Sequence, residues 1–232
     1  MIAVSFALPA ESSGLVGLLR DRKSDEGDII RGKIDNKEIA IFHTGVGRKS
    51  CQGKIDNFLR ANLPRILISA GFAGAIRQDF QVGDLILSEN FSDQPLLFEA
   101  QRILSNRGAC TSKLFTSPSV IESSNERIEL GRAHDAVAVD METEFIAEAC
   151  AARSIPMLSV RVISDSLREP FPAPPSVLFD IARQRTNLPK LLRYLITHPR
   201  ASLGLMRFAN QIARARKELT EALAALLREL PA

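Results

Sequence analysis

The chain alternates short, continuously apolar runs with longer segments whose apolar residues recur at helical spacing, and this alternation limits the available folds more than any other feature. Residues 2–8 (IAVSFAL) are apolar until Pro9, and 65–71 (RILISAG) break at a glycine; 82–88 (VGDLILS), 136–140 (AVAVD) and 156–165 (PMLSVRVISD) end in polar residues. Such runs suit strands covered on both faces, because a strand with one wet face alternates instead. Helices are expected over roughly 10–22, from Gly47 to about Ala61, over 99–107 and 124–133, and through METEFIAEACAARS. IIRGKI and IAIFHTG flank Asp35-Asn36 as a hairpin, and KLFTSPS reads as extended. The expectation is one α/β domain over 1–170, with a central twisted sheet, mixed but mainly parallel, flanked by helices. Past the proline-rich FPAPPS the texture changes. Residues 171–232 read as a basic C-terminal appendage of several helices, punctuated by Pro189 and Pro199 and packed on the domain.

In 232 residues, 45% hydrophobic content is enough for one substantial core. No run approaches the ~20 apolar residues that span a bilayer, and the first residues lack a basic leader, which points to a cytoplasmic protein. Cys51, Cys110 and Cys150 are odd in number and set among apolar residues, so reduced core thiols are expected rather than disulfides or a metal site. His43, His134 and His198 are scattered, without metal-ligand spacing. No cofactor is expected.

In parallel sheets ligands bind beyond the carboxyl ends of the strands. Glu11, Gly45–Gly47, Gly71–Gly74, Asp140–Glu142 and Ser164-Asp165 all lie there, within a few residues of an apolar run. Taken singly, Glu11 and Glu142 would cap helix starts, and Asp165 would serve as an N-cap or turn residue. Three acids on one sheet edge favour chemistry instead. The glycine turn GVGRKS is not a phosphate loop, since Phe42 stands where that motif needs glycine, and a dinucleotide fingerprint would need a third glycine.

TGVGRKS, ISAGFAGAI, VGDLILS, AVDMETEFIAEAC and VRVISDS, in this order, resemble the nucleoside phosphorylase superfamily, especially its methylthioadenosine/adenosylhomocysteine nucleosidase branch. The resemblance covers roughly residues 1–170 and is most specific at Val139–Glu142 and Ile163–Asp165. It implies cleavage of the bond between a purine and a ribose. Asp165 matches the acid that protonates purine N7, Glu142 the acid gripping the ribose hydroxyls, and Glu11 the acid that activates water. Asp140, Met141, Gly47, Gly71, Phe72, Ala73, Gly74 and Ser164 match residues around ribose and base. Val120 and Ile121 stand where the nucleosidases stack a phenylalanine on the purine; Phe72 or Phe171 is a candidate replacement. Ser69 and Phe72 stand where phosphate-using branches carry arginine and serine, which favours hydrolysis; Arg48 and Lys49 near the glycine turn keep phosphorolysis as the alternative. A non-catalytic nucleoside-binding module is the reading from another class. The superfamily's members are usually oligomeric, implying a homo-oligomer.

The net charge of +3 belongs to the tail. Nine basic residues and no acidic ones lie between Arg183 and Lys217, and removing nine from +3 leaves −6 for the rest. Interleaved with Leu, Ile, Met and Phe, they suit helices packed on the body or on a second subunit, or a surface lying on an anionic membrane. Nucleic acid is a weaker match, as Tyr194 is the lone aromatic with a polar tip. The tail resembles that of the hopanoid-associated subgroup of the superfamily, implying a lipid-linked adenosyl substrate and peripheral contact with the inner membrane surface through 183–217.

Overall fold

The computed structural model describes residues 1–25, 28–168 and 201–231. In chain order the strands are β1 (Ile2–Phe6), β2 (Arg20–Asp25), β3 (Ile29–Ile34), β4 (Lys37–His43), β5 (Ile66–Ala75), β6 (Leu85–Ser88), β7 (Cys110–Ser112), β8 (Leu114–Thr116), β9 (Ala138–Asp140) and β10 (Met157–Asp165). The helices are α1 (Pro9–Leu18), α2 (Arg48–Ala61), α3 (Gln94–Ile103), α4 (Ser124–His134), α5 (Thr143–Ala151) and α6 (Ala201–Glu229). All ten strands join one sheet in the order β2-β3-β4-β1-β5-β10-β6-β7, while β9 pairs with the far end of β5 and β8 with β9. The centre, β4-β1-β5-β10, is parallel, and β3 and β6 run against it. The α/β class and mixed central sheet expected from the apolar runs are observed.

Period-two alternation gives this sheet two different faces. Ile2, Val4 and Phe6 of β1, Ile68 of β5, and Leu158, Val160 and Val162 of β10 point to one side, into a core shared with α1, α3 and α6. Ala3, Phe42, Leu67 and Met157 point to the other side, packing with Cys51, Ile55 and Phe58 of α2 and Phe145, Ile146 and Cys150 of α5. The polar alternates lie on this second side. Ser5, Ser69 and Ser159 are in register across β1, β5 and β10, a row of small side chains beside the one large polar residue of β10, Arg161.

Three local readings differ from the structure. The first helix ends at Leu18 rather than near 22, because RDRKSD leaves it to form β2. That edge strand is exposed on both sides, so it lacks the apolar alternation that marks strands, and its charges protect an open edge. The strand expected from Val82 begins at Leu85, since Gly83 takes φ +98° in a turn. Past Pro199 the chain is one helix of 29 residues, about 44 Å long at 1.5 Å per residue. Ala215, Leu219, Leu223, Leu226 and Leu227 bury one stripe of α6 in the main core, which Leu230, just past the helix, also joins. The Lys37 ammonium donates to the carbonyls of Arg228 and Leu230, tying down the helix's C-terminal end. The connector FPAPPS, Pro189 and the basic residues 183–200 lie outside the described residues.

Candidate active site

Each of the three acids is carried to the strand exits by a different element. Pro9 opens α1 immediately after β1 and Leu8, which places Glu11 in the helix's first turn. Its carboxylate bridges two elements. Oε2 accepts from the Leu8 N–H at 2.8 Å, as a helix cap would, and Oε1 accepts from the Phe72 N–H of β5 at 2.9 Å. Glu142 holds the N-cap position of α5 but makes no cap bond there. Its Oε1 instead accepts from the Gly47 N–H at 2.8 Å, at the mouth of α2. Gly47 has φ +82°, which a side chain tolerates poorly, and this backbone turns its N–H toward the acid. Asp165 ends β10 just past a bulge that pairs it with Gly74. Its Oδ1 accepts from the Ser164 hydroxyl at 2.8 Å, and its Oδ2 from the Arg127 guanidinium at 2.6 Å.

A small cleft opens at these exits, and Glu11 and Glu142 both line it, with Ser5, Thr44, Phe72 and Arg161. Asp165 is not in its lining. It stands further along β5, opposite Gly74, where Glu11 stands beside Gly71. The two glycines make room for the acids: a Cβ at Gly71 would lie 3.0 Å from Glu11 Oε1, and one at Gly74 3.2 Å from Asp165 Oδ2. Burial governs their chemistry. Desolvation pushes the Glu11 carboxyl above its ordinary value, although the Phe72 and Leu8 N–H groups pull it back. Desolvation also raises Glu142, and the neighbouring charges of Asp140 and Glu11 push it the same way. Asp165 is raised by burial too, against the pull of Arg127. Three carboxyls poised to hold or release protons nearer neutrality are a pattern of acid–base sites.

Beneath the cleft lies a second, closed network. Arg161, 3% exposed, donates from Nε and Nη2 to Asp140 Oδ2 at 3.1 and 2.9 Å, and from Nη1 to the Ser69 carbonyl at 2.8 Å. Its Nη2 also reaches Ser69 Oγ and Thr143 Oγ1. Asp140 Oδ1 accepts from Thr116 Oγ1 at 2.8 Å, and Oδ2 from the Thr143 N–H at 3.1 Å. The Asp140 carboxylate is thus turned into the protein, capping α5 and fixing the segment that presents Glu142. A charged residue inside the apolar run of β10 was the visible sign of this network.

The profile of the phosphorylase superfamily matches residues 13–103 and 109–197. The chain belongs to the phosphorylase superfamily. Among its superfamily relatives is a 5′-methylthioadenosine/S-adenosylhomocysteine nucleosidase of Staphylococcus haemolyticus, 25% identical over 71% of this chain and 86% of that one. The fold matches the nucleosidase of the same name from S. pneumoniae, solved with a transition-state inhibitor, at a TM-score of 0.76 and 19% identity, covering 99% of both chains. It also matches a futalosine hydrolase of Helicobacter pylori at TM-score 0.62 and 18% identity, over 71% of this chain and 87% of that one.

The other residues expected around a superfamily ligand divide by position. Met141 is half-buried, with its Cε 3.8 Å from where a Gly47 Cβ would stand. Phe72 is partly buried and lines the cleft, whereas Ala73 is buried in a small apolar cluster with Ile163 and Leu114. Val120 is half-buried and Ile121 buried, its carbonyl accepting from Arg127 Nε at 2.9 Å. Ser164 is spent on the Asp165 carboxylate and the Ala73 carbonyl. Phe171 lies outside the described residues. His43 bonds Ser12 Oγ through Nε2 at 2.8 Å, and His134 stacks on Phe115. The cysteines are unpaired, and no cluster of metal-binding side chains occurs among the described residues.

Proposed function

We propose that the chain hydrolyses the N-ribosidic bond of an adenine-type nucleoside and releases the base. The observation that carries this is the shared burial of Glu11 and Glu142 in one cleft, with Asp165 nearby, opposite Gly74 of β5. Breaking the bond leaves positive charge on the ribose and an electron pair on the base. Asp165, its proton retained by burial, donates to purine N7 and so makes the base a better leaving group. Glu142 faces the ribose, and the developing cation favours its ionised form; a desolvated carboxylate stabilises that charge more than a solvated one. Glu11, anchored at two points, takes a proton from the attacking water, which adds to the sugar carbon as the base departs. Asp140, Met141 and Gly47 would hold the ribose side, Asp140 indirectly through the Glu142 segment. Phe72, Val120 and Ile121 would flank the base.

Water is favoured over phosphate because the cation that lines the cleft, Arg161, is committed elsewhere. Arg161 is spent on Asp140 and Ser69, and exposed Arg48 lies over the Phe145 ring, 5.3 Å from its centroid. Incubating the protein with 5′-methylthioadenosine, with and without phosphate, tests the reading. Adenine and the free sugar should appear at equal rates in both. A sugar 1-phosphate formed only with phosphate would make it a phosphorylase, and binding of the nucleoside without turnover would make it a binding module. Asp165→Asn should lower turnover about 10²–10⁴-fold.

For the substrate's other end we propose a lipid link, with the exposed side of α6 against an anionic membrane. Arg207, Arg214 and Lys217 are exposed there, beside Met206 at 67% exposure. No helix among the described residues is long and apolar enough to cross a membrane, so contact would be peripheral. Each such cation contributes about 1 kcal/mol near an anionic surface. The chain should sediment with anionic vesicles at low salt and leave them at high salt; a protein staying in the supernatant in both conditions refutes the contact. A homo-oligomer is proposed on the superfamily's habit, and light scattering would count its subunits.

A further inference from the structure

Arg127 is 4% exposed, faces the protein interior from α4, and no known role of the site requires it. One guanidinium joins two parts of the base subsite: Nη1 donates to Asp165 Oδ2 at 2.6 Å, and Nε donates to the Ile121 carbonyl at 2.9 Å. Gly74 makes this arrangement possible, since a Cβ there would stand 3.2 Å from both Arg127 Nη1 and Asp165 Oδ2. Ser123 caps α4 by accepting from the Glu126 N–H, which fixes the turn that delivers Arg127. The groups facing Asp165 are the Arg127 guanidinium from α4 and the Ser164 hydroxyl from its own strand, while β5 offers the bare backbone of Gly74.

We propose that Arg127 is a positioning residue for Asp165, clamping the acid to the Ile121 segment and setting the pH range over which it delivers a proton. The proposal rests on Asp165 being the leaving-group acid. In the step itself the carboxylic acid gives its proton to N7 as the C1′–N9 bond breaks and its electron pair stays with the base. The carboxylate left behind is met at Oδ2 by the Arg127 cation. An acid whose anion is stabilised in this way is stronger, so proton transfer is easier, but the acid empties at a lower pH. Burial alone would hold the proton more tightly.

The test is the pH profile of kcat for 5′-methylthioadenosine cleavage by the wild type, R127M, R127K and D165N. Without the cation, R127M should extend its alkaline limb upward by about one pH unit or more, with a lower plateau because the acid is weaker. R127K keeps a positive charge and should restore the limb toward its wild-type position. R127Q, whose amide can still donate to the Ile121 carbonyl, serves the same purpose if R127M fails to fold. A limb unmoved in the neutral variants, with only melting temperature or plateau lowered, would show a merely structural arginine and overturn the proposal. Wild-type turnover in D165N would instead refute the assignment of the acid, so the two failures are distinct.

Discussion

The two faces of the central sheet are made by alternate residues of the same strands, yet they do different work. On the α1/α3/α6 side, β1 and β10 present Ile2, Val4, Phe6, Leu158, Val160 and Val162 to the main apolar core. On the α2/α5 side the same strands present Ser5, Ser159 and Arg161, and β5 adds Ser69 and Gly71. The first face contributes burial, worth about 25 cal/mol per Å². The second gives up part of that gain to hold a buried ion pair whose net contribution to stability is small. What it gains is position: Arg161 and Asp140 fix the segment that brings Glu142 to the cleft. A strand with one residue of each kind per repeat can therefore serve as scaffold and as site at once.

The comparison breaks first at Arg161. Arg161→Met leaves Asp140 buried without its cation, and removing one partner of such a pair costs about 3–5 kcal/mol. It should also release the Glu142 segment, so turnover should fall even in the folded fraction. On the opposite face, Leu223→Ala in α6 removes fully buried methyl groups at a cost of about 2–5 kcal/mol. Because Leu223 packs away from the cleft, activity per folded molecule should stay near wild type. Denaturant melts read beside active-site titration would show both. If Arg161→Met kept full turnover, or Leu223→Ala lost it without unfolding, the division between the faces would not hold.

Much of this division can be read from the sequence, and the rest cannot, for physical reasons. The apolar runs of β1, β5 and β10 announce themselves because both faces are covered, and the three acids announce themselves by standing where those runs stop. Arg161 was legible in principle, since a cation inside an apolar run must have a buried partner, though nothing local says that the partner is Asp140, 21 residues back. Arg127 was not legible. In SNERIELGRAH it looks like any solvated helical arginine, and only the packing of α4 beside the end of β10 turns it inward. The edge strand β2 was missed because strands wet on both faces carry no apolar period. The C-terminal segment was read as a basic appendage of several helices packed on the domain or on a second subunit; that its leucine stripe joins the main core itself is set by tertiary packing.

The finest difference between the faces lies in how stability answers to pH. An apolar face is indifferent to pH, whereas Glu142 is buried with its carboxyl raised above the ordinary 4.5, by desolvation first and then by the charge of Asp140. At pH values below 4.5 the group is protonated both folded and unfolded and contributes no pH dependence. As the pH climbs from there, the unfolded chain releases the proton while the folded chain keeps it, so stability falls by up to about 1.4 kcal/mol per pH unit. The fall ends once the pH has passed the folded carboxyl's own raised value. Glu142→Gln keeps an oxygen to accept from the Gly47 N–H but has nothing to ionise. Its advantage over the wild type should therefore be absent at acid pH and grow toward alkaline pH, raising the melting temperature by about 2–4 °C for each kcal/mol gained, even as turnover drops. Melting curves for both proteins across pH 4 to 9 decide this. Parallel curves would mean that the folded protein does not hold Glu142 protonated, and the polar face would then cost no more stability at high pH than the apolar one.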